Sequence, residues 1–323
     1  MILRYERYGR RNKVKLKRND LFIGIYILSA VLFFIISIPS WLLDILLAFN
    51  IMVALVILFN SLFAKEVLDM ASFPTMLLFT TIFRISLNVS STKMILRDGY
   101  AGHVVSVFGQ FVGGGNLVIG TIIFIVLIIV QFIVINKGSE RVSEVTARFT
   151  LDAMAGKQMA IDSDLNTGAI TDKEAAERRK KLQQENSFFG SMDGATKYVK
   201  GDATAGLIIT AINLVGGIAM GMLYNGMSIN DALSTYSILT IGDGLCSQIP
   251  SLLISLSTGI LVTKASSEGE LGDEMVGQLF SMDRVLIMVG AALILLGVGT
   301  PLSILHICAT WCSTYYLWKK VKG

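Results

Sequence analysis

The sequence predicts an all-α fold: a polytopic transmembrane helical bundle of about eight spans, both termini cytoplasmic, with a small cytoplasmic helical insertion. Three observations carry this. The 323 residues are 53% hydrophobic and only 16% charged, with mean hydropathy +0.64. Soluble domains carry about 25% charged residues, so too few remain here to cover a water-facing surface. Apolar runs of the roughly 20 residues that a bilayer core requires recur along the chain, and one polar stretch, Lys137 to Asp202, separates them into two groups.

Taken in order, residues 1–20 form a basic tail. Arg4, Arg7, Arg10, Arg11, Lys13, Lys15, Lys17 and Arg18 stand just before the first apolar run. Such a cluster stays cytoplasmic under the positive-inside rule. Eight spans follow it and no small-residue site ends the first run, which argues against a cleaved leader. Nearness to anionic lipid accounts for the tail, whereas no aromatic interleaving or fold signature supports nucleic-acid binding. The first transmembrane half, 21–136, holds spans near 21–38, 42–62, 72–92 and 116–136. The second, 203–318, holds spans near 203–223, 232–263, 285–300 and 301–318. The run 232–263 exceeds an ordinary span and contains Gly242, Gly244 and Pro250, which predicts a broken segment near 242–250. Lys319, Lys320 and Lys322 in the stub 319–323 return the C-terminus to the cytoplasmic side. The loops near Pro39, Asn225 and Pro301 carry no basic residue and face outward. The Lys93–Arg97 end of the third span also faces outward, against the rule.

Within the insertion, Thr171-Asp172-Lys173-Glu174 has capping-box spacing, a hydroxyl followed three residues later by a carboxylate. The helix it opens is charged on most faces and ends at Phe188, Phe189 and Gly190. Residues 148–168 mix charge, Gly and Met and predict a helix followed by an ordered loop.

Several ionisable residues sit where lipid disfavours them. A carboxylate at bilayer centre costs about 2.5–3.5 kcal/mol on insertion scales, so Asp243 is expected to face a bundle interior or a wet cavity. Its flanking glycines permit unwinding, and freed carbonyls there would help hold a cation or proton. Arg84 cannot deprotonate and needs a partner or water; Asp44 and Asp243 are the candidate partners. Lys93 snorkels at the span end. Lys197, Lys200 and Asp202 cluster where the polar stretch re-enters the membrane, either as interfacial anchors or as a proton-binding mouth. Burial and the nearby lysines would pull the Asp202 carboxyl in opposite directions. Arg148 and Asp152 are four apart, hence on one helical face. Gly217 and Gly221 form a small-xxx-small step that serves either intramolecular packing or subunit contact. Cys246, Cys308 and Cys312 lie in apolar runs, which argues against a disulfide framework. Cys308, Cys312 and His306 lack the carboxylate that would complete a metal site. With no Walker loop, catalytic triad or metal cluster in the sequence, neither enzymatic activity nor a cofactor is expected, and any energy must come from an ion gradient or a separate ATPase.

Five segments carry a family resemblance. Arg84-Ile85-Ser86-Leu87-Asn88 and Phe111-Val112-Gly113-Gly114-Gly115-Asn116 are two of them. The others are ARFTLDAMAGKQMAID (147–162), GSMDGATKYVKGDATAG (190–206) and LTIGDGLCSQIPSLLIS (239–255). Together they resemble the FlhA/SctV (FHIPEP) family, the large export-gate proteins of bacterial type III secretion. The resemblance covers nearly all of 40–265 and is weakest in the basic tail and the last forty residues. Asn88 and the wording RFTLDAMAGKQMAIDSDLN are closer to the flagellar than the injectisome branch. Ala155 departs from the proline usual in the family, which would loosen the loop there. Family members continue into a large soluble cytoplasmic domain, so the resemblance implies that this chain is the membrane half.

The resemblance also implies a role. Asp202 matches a carboxylate tied to energy coupling, and Arg141, Arg148 and Asp152 match charged positions tied to export. With Lys197, Arg84 and Asp243 they make up the candidate ion-coupling set. The family forms a nonameric ring in the bacterial cytoplasmic membrane at the flagellar basal body. Its implied partners are other export-gate membrane proteins and membrane lipid, with the export ATPase complex and chaperone–cargo complexes reached through the soluble domain. The rivals are an injectisome gate, an ion-driven small-solute transporter and a purely structural ring scaffold. A transporter would show an inverted repeat with matched broken helices, and no counterpart to 242–250 is visible in the first half.

Overall fold

A computed structural model describes residues 18–113 and 116–264, with isolated positions 275, 278, 288 and 289 beyond them. Among the described residues the chain is helical, with no strand. Its helices are α1 (Arg18–Ile35), α2 (Ser40–Phe63), α3 (Phe73–Asp98), α4 (His103–Gly113), α5 (Leu117–Val130), α6 (Lys137–Asp152), α7 (Met154–Asn166), α8 (Asp172–Leu223) and α9 (Ile229–Thr263). A short 3₁₀ turn, Val67–Met70, precedes α3, and a π-helical turn, Gln131–Asn136, joins α5 to α6. Among the described residues five helical stretches, against the expected eight or so spans, are long and apolar enough to cross a membrane: Ser40–Phe63, Val67–Asp98, Leu117–Asn166, Asp172–Leu223 and Ile229–Thr263. Ile23–Ile35 and His103–Val112 are shorter apolar helices. Apart from Met288 and Val289, the expected spans 285–300 and 301–318, with Cys308, Cys312 and His306, lie outside the described residues, as does most of the basic tail.

The chain divides into two compact units. One comprises 1–53, 75–132 and 198–251; the other comprises 54–74, 133–197 and 252–323.

In the first unit, a cluster of Leu43, Leu47, Phe83, Leu87, Ile95, Val105 and Tyr236 forms the apolar core. Lipid tails are as apolar as leucine, so this packing is held by close contact and polar bonds rather than by expulsion of water. The most buried spanning windows belong to the helices containing α3 and α9, 56% buried against 17% for those of α5 and α8, so α3 and α9 are the inner helices. α3 accordingly turns Ser86, Asn88, Ser90 and Ser91 inward, and all four are buried. Asp44, in the first turns of α2, accepts from the His103 and Val104 amides, both at 2.9 Å, and so caps the start of α4. Asn116 caps α5 by accepting from the Val118 and Ile119 amides at 3.0 and 3.3 Å, which accounts for one residue of the Phe111–Asn116 motif.

The expected break near 242–250 is absent. α9 runs unbroken from Ile229 to Thr263 with Pro250 inside it. The glycines serve close approach instead of unwinding. A Cβ on Gly242 would lie 1.9 Å from the Val105 carbonyl oxygen, and one on Gly244 would lie 2.3 Å from the Phe124 ring. Pro250 contributes no N–H to the ladder, and two residues before it Gln131 Nε2 donates to the Gln248 carbonyl at 3.0 Å.

In the second unit, α7 and the polar part of α8 form an antiparallel pair over Ile161, Ala175 and Leu182. Arg178–Asp164 (3.1 Å) and Lys157–Glu185 (3.5 Å) bridge them. Gly168, with φ +72°, ends the first helix in the left-handed conformation that favours glycine. The capping box is present as expected. The Thr171 amide donates to Glu174 Oε2 at 2.8 Å, and the Glu174 amide donates to Thr171 Oγ1 at 3.3 Å. Two expectations are corrected. The helix opened by Thr171 does not stop at Phe188–Gly190 but continues to Leu223, because Phe188 and Phe189 are buried packing residues with no helix-ending geometry. The expected loop after Asp152 is helix α7, and Ala155 sits in its first turn, where alanine's helix propensity is an asset.

Candidate functional site

The first unit holds two levels of buried polar contact along the facing sides of α3, α8 and α9. At the first level the Arg84 guanidinium of α3 forms an ion pair with the Asp202 carboxylate of α8, the side chains 1% and 3% exposed. This corrects the expected partners. Asp44 is occupied at the start of α4, and Asp243 belongs to the second level. There Asn213 Nδ2 of α8 donates to Asp243 Oδ2 of α9 at 2.8 Å. Ser91 of α3 lies beside the same carboxylate, with its hydroxyl donated to the Asn88 carbonyl at 2.9 Å.

Helical spacing explains why the levels line up. Ser91 follows Arg84 by seven residues, close to two turns, so both lie on one face of α3. Asn213 follows Asp202 by eleven, close to three turns, so both lie on one face of α8. At 1.5 Å per residue the levels are separated by about 10 Å along α3 and about 16 Å along α8.

Neither level satisfies all its polar groups. Among the described residues, Arg84 Nε and Nη1, Asp202 Oδ1 and Asn213 Oδ1 are buried without a hydrogen-bond partner, and Asp243 Oδ1 has no more than the Ser91 hydroxyl beside it. Thr81 and Thr240, one turn from Arg84 and Asp243, add orphaned hydroxyls. A buried polar group without a partner costs about 1–3 kcal/mol. Such a set is tolerated where water or a transiting ion supplies the missing contacts. The chemistry available is therefore a fixed guanidinium charge facing a titratable carboxylate, followed by a second carboxylate held by an amide.

The remaining candidates fall elsewhere. Gly217 and Gly221 resolve to intramolecular packing: Cβ atoms there would come within 2.3 and 2.6 Å of the Tyr236 ring of α9. In the second unit, Arg141 and Arg148 both bind Glu144, at 3.0 and 3.2 Å, so the partner of Arg148 is Glu144 rather than Asp152. The side chain of Asp152 is exposed at the end of α6. Lys197, in the polar part of α8, pairs with Asp193 one turn back at 2.9 Å. That hydrogen bond, with the aspartate's charge, raises the lysine above its usual range. These are surface contacts of small energetic consequence. Asn213 and Ser91 were not singled out by sequence reasoning; their spacing from Asp202 and Arg84 is the signal that would have found them. Among the described residues no three His, Cys, Asp or Glu side chains gather as a metal site.

The model of the FHIPEP family matches residues 30–322. The flagellar biosynthesis protein FlhA of Bacillus subtilis is 54% identical over 286 residues, covering 88% of this chain and 42% of that protein. FlhA of Salmonella typhimurium is 50% identical over 284 residues, 86% of this chain and 41% of its own length. The low calcium response locus protein D of Yersinia pestis is 45% identical over 310 residues, 94% of this chain and 44% of its own length. The chain thus spans less than half the length of these relatives. No solved structure matches it.

Proposed function

The chain belongs to the FHIPEP family, and from that premise we propose that it is a membrane component of the flagellar type III protein export gate. In this reading it couples inward flow of protons or sodium ions to outward passage of unfolded flagellar proteins. The single observation that carries the coupling is the pair of incompletely satisfied buried carboxylates, Asp202 of α8 against Arg84 of the inner helix α3 and Asp243 of the inner helix α9 against Asn213. A protein that needed only a rigid ring would be more stable with apolar side chains at these positions. Membrane carboxylates facing a bundle interior mark ion routes more often than anchors. The protein is a multi-pass component of the bacterial cytoplasmic membrane at the flagellar basal body. It assembles as a homo-oligomeric ring, with nine subunits as the expected number. It meets other gate proteins in the membrane, and the export ATPase and chaperone–cargo complexes through the soluble domain of the full-length protein.

Higher identity to the flagellar relatives than to the Yersinia pestis protein favours the flagellar branch. The injectisome reading keeps the same physics with different cargo. Deleting the full gene separates them. Loss of hook and filament proteins from the secretome together with swimming supports the flagellar gate; loss of another secreted set with swimming intact supports the injectisome. An unchanged secretome rejects export altogether. For the coupling step, normal export by both Asp202→Asn and Asp243→Asn at normal protein level removes the carboxylates from the mechanism.

A further inference from the structure

Two cations stand apart from everything above. Lys93 and Arg97 close α3 at the end expected from the order of spans to face outward, where the positive-inside rule disfavours lysine and arginine. The structure gives them a shared setting. With Ser37, Ser40, Asp98 and Tyr100 they line a cavity of about 490 Å³ between the α1–α2 turn and the end of α3. That volume lies within the roughly 300–1,000 Å³ typical of small-ligand sites. Lys93 Nζ is fixed by the Phe34 carbonyl, with the Ile35 carbonyl at 3.4 Å, so its charge is anchored at the C-terminus of α1. Arg97 is exposed, and its ion pair among the described residues, Nε to Asp98 at 3.6 Å, is long and leaves the guanidinium fork open. Two cations against one carboxylate leave the lining net positive. Three hydroxyls add donors, and α2 begins at Ser40 with the positive end of its dipole toward the same space.

We propose that this cavity binds a phosphate anion, supplied by the headgroup of an anionic phospholipid. A guanidinium fork, an ammonium, hydroxyls and a helix N-terminus are the groups that recognise phosphate. A metal cation would meet the net positive charge of the lining, and an uncharged sugar would leave the excess unanswered. The exposed apolar side chains that adjoin the lining serines in sequence, Ile35, Ile36 and Trp41, suit acyl chains and an interfacial aromatic, so the lipid is favoured over free phosphate. The site also gives the discordant cations a reason: they answer a lipid phosphate rather than set topology. This inference does not depend on the export reading.

The test uses the purified chain, delipidated in neutral detergent and titrated with phosphatidylglycerol or phosphatidylcholine, with bound lipid counted by native mass spectrometry. Wild type should prefer phosphatidylglycerol, and Arg97→Gln should weaken that binding about five-fold, the effect of one basic residue near an anionic surface. Arg97 is exposed, so the fold should survive the change. Ser37→Ala with Ser40→Ala, which removes hydroxyls and no charge, should also weaken binding. Arg178→Gln, in the polar insertion, should not. Displacement of the lipid by millimolar inorganic phosphate would make free phosphate the occupant of the same anion site; resistance to it would assign the headgroup. Equal phosphatidylglycerol binding by wild type, Arg97→Gln and the double serine variant would overturn the proposal. So would an equal loss in Arg178→Gln, since that would show unspecific charge attraction.

Discussion

Asp202→Asn is the substitution that discriminates most sharply between a structural and a coupling role. It keeps the shape of the side chain and removes its charge, so the Arg84 guanidinium is left buried against a neutral amide. Removing one partner of a buried ion pair costs about 3–5 kcal/mol. Both side chains are 3% exposed or less, so water does not screen the loss. Arg84→Met with Asp202→Leu removes both charges and replaces them with packed apolar groups, a change that is commonly neutral or stabilising. The expected pattern is therefore a single variant weakened by about 3 kcal/mol or more and a double variant within about 1 kcal/mol of wild type. Unfolding in mixed micelles, followed by tryptophan fluorescence, measures both. If Asp202→Asn unfolds with wild-type stability, the buried pair does not exist as described. Export closes the argument: the double variant, present at normal level, should export nothing if the carboxylate couples ion flow. Normal export would confine the pair to packing.

Three further outcomes follow from the same geometry. Gly242→Ala drives a methyl to within 1.9 Å of the Val105 carbonyl oxygen, so α9 must shift; overpacking of this kind costs about 3 kcal/mol or more, read as a loss of protease resistance in detergent. Asn213→Leu strips Asp243 of its amide donor and should cost about 1–3 kcal/mol, with Asp243→Leu added to it recovering most of the loss in the same unfolding assay. At the start of α8, Thr171→Ala should destabilise that end of the helix by about 1 kcal/mol. The bonds from the Thr171 amide and hydroxyl hold the Glu174 carboxyl below its usual range. Its contribution is therefore complete above about pH 4.3 and fades as pH falls through the lowered value. Carbon chemical shifts of Thr171 and Glu174 across an acid titration report this, and a start to α8 that stays fully helical below pH 2 would contradict it.

Much of this molecule is legible from local pattern. Apolar runs located the five helical stretches long enough to span among the described residues, while the expected first span is a shorter apolar helix, and the Thr171–Glu174 spacing gave a cap that the structure contains. Glycine misled, because sequence carries two meanings for it. Gly242 and Gly244 read as points of unwinding, yet both are places where α9 meets another helix too closely for a side chain. In a membrane that second meaning is the commoner one, since close approach substitutes for the absent hydrophobic drive between helices.

The partner of Arg84 was illegible for a different reason. A charge in an apolar run announces that it has a partner without saying which distant helix supplies it. Asp44 and Asp243 were equal candidates until their own bonds were visible. What remained readable was periodicity across polar residues. A seven-residue step on α3 and an eleven-residue step on α8 return to the same face, so Arg84, Ser91, Asp202 and Asn213 define two seams before any contact is known. Two such seams, each pairing a charged with a small polar residue, are costly if they serve packing alone. Selection for stability would have filled them with leucine and alanine. The polar groups persist at both levels, with acceptors and donors left open there among the described residues, and the proposed ion passage along α3, α8 and α9 rests on that cost.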